Sequence, residues 1–223
     1  MAAPPPTLQD EINALRWFHQ IDFGNGVLTP GGIGASKIAR MSRKIFDRPI
    51  TGKSFLDIGC WDGAYSIEAT RRGAGRVMAT DHYVWNDGTG DRRSFELARQ
   101  HLAPGIEVRE LPVEALTAEA IGTFDIVLFS GVFYHLRHPF LILEQVARLA
   151  KELLIVESRL VGRFTRKPYM RFYPGRELEN DPTNWWAPNR PCMEAMLHDV
   201  GFPRVKFQRT DYRWRRGLFH AER

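Results

Sequence analysis

The chain has 223 residues, of which 43% are apolar and 26% are charged, and its formal net charge is +5. These values are those of an ordinary globular domain and exclude a disordered, collagen-like or coiled-coil protein. Two cysteines are too few for a disulfide framework or a structural zinc site. No apolar run approaches the roughly 20 residues that span a bilayer. No secretory signal is visible, so we expect a cytoplasmic protein without a membrane partner.

The first 52 residues predict an N-terminal tail, a helical cap and a glycine-rich loop. Apolar side chains recur at helical spacing from Leu8 to Phe18, which indicates a short amphipathic helix. Residues 21–32 are rich in glycine and proline and predict a loop, and a second helix is expected over residues 36–46.

From residue 53 onward, short apolar runs alternate with helical patterns. Strands are predicted over residues 53–59, 76–81, 106–111, 124–131 and 152–158, and helices over 64–72, 94–101 and 139–149. A helix near 192–200 and strands near 204–209 and 217–221 close the chain. Such alternation is typical of βαβ units. We therefore predict an α/β, Rossmann-like doubly wound domain over 53–223, with a mostly parallel seven-stranded sheet and helices on both faces.

The strongest local pattern is LDIGCWDG at residues 56–63, where a predicted strand enters a tight turn and then a helix. Gly59 allows the turn and a close approach by a ligand, and Gly63 allows the helix to pack closely on the strand. Asp81 ends the next strand, where an acid typically accepts both ribose hydroxyls of a nucleoside. Trp61 would crowd a pyrophosphate, so an adenosine ligand without phosphate fits better.

These residues resemble a known family. DIGCWDG, Asp81 and the strand FDIVLFSG are similar to the core of class I S-adenosylmethionine-dependent methyltransferases. The segment GVFYHLRHP at 131–139 resembles the group that contains the tRNA wobble-uridine enzymes forming 5-methoxy- and 5-oxyacetyl-uridine. IDFGNGVLTPG and FYPGRELENDPTNWWAPN are also similar to short members of that group.

The resemblance implies S-adenosylmethionine as the cofactor. It implies that Asp57 and Gly59 face the amino acid end of the cofactor and that Asp81 takes the ribose hydroxyls. The remaining implied cofactor contacts are Cys60, Trp61 and Gly63 in the turn, His82 after the second strand, Val113 and Glu114 beside the adenine, and Ser130 and Tyr134 near the methionine part. The family commonly has a glycine where Trp61 stands, so the cofactor pose at that position is left open.

His135 is the candidate general base, because it follows the fourth predicted strand and an imidazole with a pKa near ~6.5 accepts protons at neutral pH. The alternative is that His135 orders its loop or orients the substrate. His138 precedes a proline, is biased towards an extended backbone and is a candidate substrate contact. No metal is expected, because zinc-ligand spacing is missing. A divalent ion that orients a diol, with Glu157, His19 or Asp22 nearby, is the open alternative.

Residues 159–191 form a proline- and aromatic-rich insertion that we expect to contact the substrate. Six basic residues from Arg159 to Arg176 are interleaved with aromatic ones, which suits a phosphate backbone, a lid over a small substrate, or a solvated arm. Candidate substrate contacts are His138, Glu157, Tyr173, Trp185 and Trp186, the tryptophans being suited to a sugar ring. The basic run at 209–217 is interpreted as a solvated turn.

Two enzymatic functions follow as expectations. The first is methylation of a hydroxyl on a small molecule, either a saccharide or a natural-product intermediate. The second is modification of a tRNA wobble uridine, supported by the resemblance, the basic charge and the insertion. A cofactor-binding module without catalysis is the third hypothesis. A monomer or a homodimer is expected.

Overall fold

A computed structural model describes residues 5–162, 164–210 and 215–223. Its helices are α1 (Leu8–Asn13), α2 (Ala35–Ile45), α3 (Ala64–Arg71), α4 (Tyr83–Asn86), α5 (Arg92–Leu102), α6 (Ala118–Ile121), α7 (Pro139–Leu149) and α8 (Arg190–Asp199). Its strands are β1 (Asp22–Gly24), β2 (Val27–Leu28), β3 (Ser54–Ile58), β4 (Arg76–Asp81), β5 (Glu107–Glu110), β6 (Phe124–Ser130), β7 (Ala150–Arg159), β8 (Met170–Phe172), β9 (Trp186–Pro188), β10 (Arg204–Arg209) and β11 (Arg216–Glu222). Two 3-10 turns cover Val113–Ala115 and Phe133–His135. None of these helices is long and apolar enough to cross a membrane.

Seven strands form the main sheet in the order β10-β11-β7-β6-β3-β4-β5. The strands β3 to β7 run parallel, and β11 is antiparallel to both of its neighbours. The chain moves from β3 outward to β4 and β5, then returns to β6 on the other side of β3. Ligands of such sheets bind beyond the carboxyl ends of the strands at this reversal. The predicted fold class is confirmed.

The sheet separates two apolar cores, because successive side chains of its central strands point to opposite faces. In β6, Val127 and Phe129 belong to the core beneath α7 and α8, whereas Ile126 and Leu128 belong to the core beneath α2, α3 and α5. All four side chains are almost fully buried. This two-sided burial explains why β6 is apolar throughout, and it leaves the strand ends as the place for polar groups.

The N-terminal region differs from the expectation in two respects. Helix α1 ends at Asn13 rather than near Phe18, and the segment predicted as a loop contains the β1–β2 hairpin. Asn25 and Gly26 both have positive φ, at 52° and 79°, which is the backbone of a two-residue hairpin turn. The Asn-Gly pair was the available signal for this hairpin, but the flanking strands are too short to show alternation.

The insertion contains a second small hairpin, β8–β9, where the sequence pattern predicted only loop. The fully buried side chain of Asn189 holds the insertion together through four hydrogen bonds. Its side-chain oxygen accepts hydrogen bonds from the N–H groups of Tyr169 and Cys192, and its amide donates to the carbonyls of Thr165 and Lys167. One side chain therefore caps α8 and closes the insertion.

Candidate cofactor and active site

The glycine turn after β3 is built by backbone contacts with β4. The N–H groups of Gly59 and Cys60 both donate to the carbonyl of Thr80, at 2.8 and 3.1 Å. Gly59 has φ 75°, and a Cβ there would lie 2.5 Å from Cγ2 of Val132. Gly63 has φ 80° and caps the start of α3. Both glycines are therefore required by backbone conformation, and each lies where a Cβ would collide with a neighbouring side chain.

Trp61 occupies the left-handed region with φ 55°, where glycine is the usual residue. Its carbonyl accepts a hydrogen bond of 2.8 Å from the indole of Trp85. Its ring stacks on Phe18, with centroids 4.0 Å apart and an interplanar angle of 16°. The neighbouring contacts fix this strained conformation, and the N-terminal segment supplies one of them.

Asp62 attaches the N-terminal segment to the turn. Its fully buried carboxylate accepts hydrogen bonds from the N–H groups of Phe18 and His19, at 2.9 and 2.8 Å. The Nδ1 atom of His19 contacts the other carboxylate oxygen. His19 is thus paired with Asp62 rather than with Asp22. Asp62 could not be identified from the sequence, because its partners lie more than 40 residues away in the chain.

Two further acids lie beside the turn. Asp57 is buried and accepts a hydrogen bond of 2.6 Å from Ser66, and its burial raises the carboxyl pKa to about 6. Asp81 accepts hydrogen bonds from the N–H groups of Trp61 and His82, at 2.9 and 2.7 Å. Burial raises the pKa of Asp81 as well. Buried carboxylates at a glycine turn suit a ligand with cationic and hydroxyl groups, which fits S-adenosylmethionine.

The predicted adenine-flanking segment is a 3-10 turn held from α7. Gln145 donates to the carbonyls of Val113, Glu114 and Leu116, at 3.1, 3.0 and 2.9 Å. Val113 is half-buried, whereas Glu114 and His82 are exposed. Gln145 was not identified from the sequence, because a single glutamine on a helix carries no motif.

The 3-10 turn after β6 places His135 against the insertion. Its Nδ1 lies 3.0 Å from the carbonyl oxygen of Thr183 and 2.9 Å from the hydroxyl of Thr183. The hydroxyl of Thr183 donates to Asp181 at 2.6 Å. Burial lowers the pKa of His135, so the imidazole is neutral at pH 7. His138 is exposed and is the N-cap residue of α7, whereas His135 lies in the preceding 3-10 turn.

Glu157 forms a buried ion pair with Arg216. Its carboxylate is buried and accepts two hydrogen bonds from Arg216, at 2.5 and 2.6 Å. Arg216 also donates to the hydroxyl of Tyr134 at 3.0 Å. Ser130 ends β6 directly opposite Glu157. Glu157 therefore holds the Arg216 side chain beside Tyr134. A substrate that binds the Glu157 carboxylate would have to do so alongside the two hydrogen bonds from Arg216.

The aromatic side chains of the insertion lie next to the His135 turn. The N–H of Trp185 donates to the carbonyl of Tyr134, and the guanidinium carbon of Arg137 lies 3.4 Å from the centroid of the Trp185 ring. Phe172 contacts both Trp185 and Trp186, with centroids 6.3 and 5.0 Å apart. Trp185 and Trp186 are half-buried, as is Tyr173. The insertion therefore packs on the site with aromatic surface still accessible.

The Cys60 side chain is buried in the core, and burial raises its thiol pKa, so a cofactor contact at Cys60 would come from its backbone. Within residues 5–162, 164–210 and 215–223, no group of three potential metal ligands occurs. Arg163 and residues 211–214, which belong to the two basic segments of the sequence, lie outside the described residues.

Comparison with known proteins identifies the family. A family model described as a methyltransferase domain matches residues 34–203. A tRNA U34 carboxymethyltransferase from Trichlorobacter lovleyi is 28% identical over 180 residues, covering 78% of this chain and 52% of that protein. A ubiquinone biosynthesis O-methyltransferase from Paracidovorax citrulli is 31% identical over 110 residues, covering 46% of this chain and 41% of that protein. The chain thus spans about half the length of these curated relatives.

Solved structures show the same fold. The N-terminal domain of EvdMO1, crystallised in the presence of SAH and D-fucose, has a TM-score of 0.71 at 18% identity, with 96% of this chain and 95% of that chain covered. Magnesium protoporphyrin IX methyltransferase from Synechocystis with bound SAH has a TM-score of 0.60 at 18% identity, with 84% and 82% covered. The family match and the sheet order agree, and the chain belongs to the methyltransferase domain family.

Proposed function

We propose that this methyltransferase acts on a hydroxyl group of a small molecule, a saccharide or a natural-product intermediate, with His135 as the general base. The observation that carries the proposal is the position of His135. It follows the carboxyl end of β6, and its Nδ1 is held by Thr183 of the insertion. A hydroxyl nucleophile benefits from a base during methyl transfer, and a neutral imidazole supplies one.

The glycine turn and its acids provide the cofactor site. Asp57 and Gly59 would hold the amino acid end, and Asp81 would hold the ribose, with Trp61 and its partner Phe18 covering the turn. When bound, S-adenosylmethionine supplies an electrophilic methyl group on a sulfonium. The protein aligns the substrate hydroxyl with that group, excludes water, and holds the released proton on Nε2 of His135.

The insertion supports a saccharide-class substrate. Trp186 is half-buried and Phe172 is exposed, so this aromatic cluster keeps accessible surface, although Arg137 covers one face of Trp185. A sugar ring suits such a surface, because it combines an apolar face with hydroxyls that need polar partners. Tyr173, whose N–H donates to the carbonyl of Trp185, and the exposed His138 remain candidate contacts. The N-terminal domain of EvdMO1, which has the same fold and was crystallised in the presence of D-fucose, also supports a saccharide as the substrate class.

The alternative is modification of a tRNA wobble uridine. It is favoured by those curated relatives that are named tRNA U34 carboxymethyltransferases, and by four exposed basic residues of the insertion: Arg166, Lys167, Arg171 and Arg176. Basic side chains among exposed aromatics suit a nucleic acid strand. Binding of this kind weakens steeply with salt, because each phosphate contact releases counterions.

Direct assay separates these functions. The protein is incubated with S-adenosylmethionine and a panel of deoxysugars, nucleotide sugars and polyhydroxylated natural products, and methylated products are located by mass spectrometry. Methyl transfer to an oxygen of a panel member supports the proposal, provided that His135→Gln slows it by ~10²-fold or more. Methylation of unfractionated tRNA, with no transfer to the panel, overturns it.

A further inference from the structure

The hydrogen bonds of His135 define which imidazole nitrogen carries the proton. Nδ1 lies 3.0 Å from the carbonyl oxygen of Thr183. A carbonyl oxygen can only accept a hydrogen bond, so Nδ1 carries the hydrogen in the neutral ring. The lone pair is then on Nε2, which is the form of the ring that accepts a proton there.

The hydroxyl of Thr183 contributes to the same arrangement. It donates to Asp181 at 2.6 Å, and the Thr183 N–H donates to the same carboxylate oxygen at 2.8 Å. Since its hydrogen is directed at Asp181, the hydroxyl presents a lone pair to Nδ1 of His135, 2.9 Å away. Burial opposes ionisation of Asp181, but the bonds from Thr183 together with the charges of His135 and Arg176 outweigh it and lower the carboxyl pKa. A carboxylate, a hydroxyl and an imidazole thus form one continuous chain.

We propose that Asp181 and Thr183 are positioning residues that hold His135 in the Nδ1–H form and stabilise the imidazolium. This inference rests on the proposed role of His135 as base. In the reaction, the substrate O–H bond breaks and its proton goes to Nε2, the oxygen forms the bond to the methyl carbon, and the carbon–sulfur electron pair remains with sulfur. The insertion therefore supplies part of the catalytic apparatus as well as a wall of the substrate site.

The charges around His135 show why Asp181 matters. Arg216 of β11 and Arg159 of β7 face the same turn, and both disfavour an imidazolium. Each is paired with an acid, Arg216 with Glu157 and Arg159 with Glu179. Asp181 is the carboxylate whose charge favours the protonated ring. Without Asp181, burial and the charges of Arg216 and Arg159 oppose protonation of the ring more strongly, so the pKa of His135 falls further.

The test reads the imidazole directly and needs no substrate. Protein labelled with ¹⁵N-histidine is examined by long-range ¹H–¹⁵N NMR, and the His135 signals are assigned by their loss in His135→Gln. The wild-type ring is expected in the Nδ1–H form. Asp181→Asn is expected to move the titration midpoint of His135 to lower pH, and Thr183→Ser is expected to retain both the tautomer and the midpoint. Glu177→Gln, an exposed acid of the same insertion, is the matched control.

Two results would overturn the inference. One is an Nε2–H tautomer in the wild-type protein, and the other is an Asp181→Asn midpoint equal to that of wild type and Glu177→Gln. If Asp181→Asn does not fold, as judged by the remaining histidine signals, Thr183→Val provides the same comparison with Thr183→Ser. Failure of His135 as the base has a different signature, because His135→Gln would then keep its methyl-transfer rate whatever the tautomer.

Discussion

The backbone N–H of Trp61 donates a hydrogen bond of 2.9 Å to the carboxylate of Asp81. This bond joins the glycine turn after β3 to the end of β4, so the turn and the predicted ribose acid form one unit. The carboxylate also accepts hydrogen bonds from the backbone of His82 and Val84, so the end of β4 and the glycine turn hold Asp81 in a fixed position.

Replacing Asp81 tests the cofactor site. We expect Asp81→Ala to weaken binding of S-adenosylhomocysteine by about tenfold or more, because the ribose bonds and the support of the turn are lost together. Isothermal titration calorimetry measures the affinity. Asp199→Ala, at the exposed end of α8, serves as the control. Wild-type affinity in Asp81→Ala would move the ribose site elsewhere.

Asp57 predicts a pH dependence of cofactor binding. Its pKa of about 6 lies above the ordinary 3.8, so in the free protein the protonated carboxyl contributes stability that is present below pH 3.8 and lost as the pH rises through about 6. A cationic cofactor end binds the ionised form instead. We therefore expect affinity to be about tenfold weaker near pH 5 than near pH 7.

Calorimetry across this range, with Asp57→Asn as the comparison, provides the check. Because Asn cannot ionise, the affinity of Asp57→Asn for the cofactor should vary less with pH. At pH 7 that affinity should be weaker than the wild-type affinity. Equal pH slopes for the two proteins would show that another group governs the dependence.

His135→Gln is expected to lower turnover by ~10²-fold or more while cofactor affinity is retained, because a positioned base contributes about that much. His138→Gln changes the exposed histidine three residues along the chain and is expected to act on KM rather than on kcat. Steady-state kinetics with the acceptor found in the panel measures both. A near-normal kcat for His135→Gln would remove it as the base.

Asn189 predicts a stability effect. Its side chain makes four hydrogen bonds from a fully buried position. Asn189→Ala removes a helix cap and leaves buried backbone groups unpaired, so we expect the free energy of unfolding to fall by about 2–4 kcal/mol. Thr7→Ala, at the exposed cap of α1, is expected to cost roughly 1 kcal/mol or less. Chemical denaturation of both variants decides the comparison, and equal losses would contradict it.

Features that depend on local pattern could be predicted from the sequence. The bounds of β4, α7 and β10 agree with the predictions to the residue, because the apolar pattern of each element stops abruptly. In α7, Pro139 also marks the first helical residue. Gly59 and Gly63 could also be identified from the sequence, because a strand followed by a glycine-containing turn and a helix is a local pattern. Both have positive φ, which favours glycine.

Contacts between distant segments could not be predicted. His19 and Asp62 are 43 residues apart in the chain, and His135 and Thr183 are 48 apart. The residues of each pair belong to no sequence motif, so their contact becomes visible only in the folded structure. The β8–β9 hairpin was missed for a related reason, since strands of three residues are too short to show alternation.

The most direct test of the proposed function is transfer of labelled methyl from S-adenosylmethionine into a cell extract that is then divided into RNA and small-molecule fractions. We predict label in the nuclease-resistant small-molecule fraction with the wild-type protein, and an initial labelling rate that is lower by ~10²-fold or more with His135→Gln. Label confined to nuclease-sensitive tRNA would contradict the proposed function.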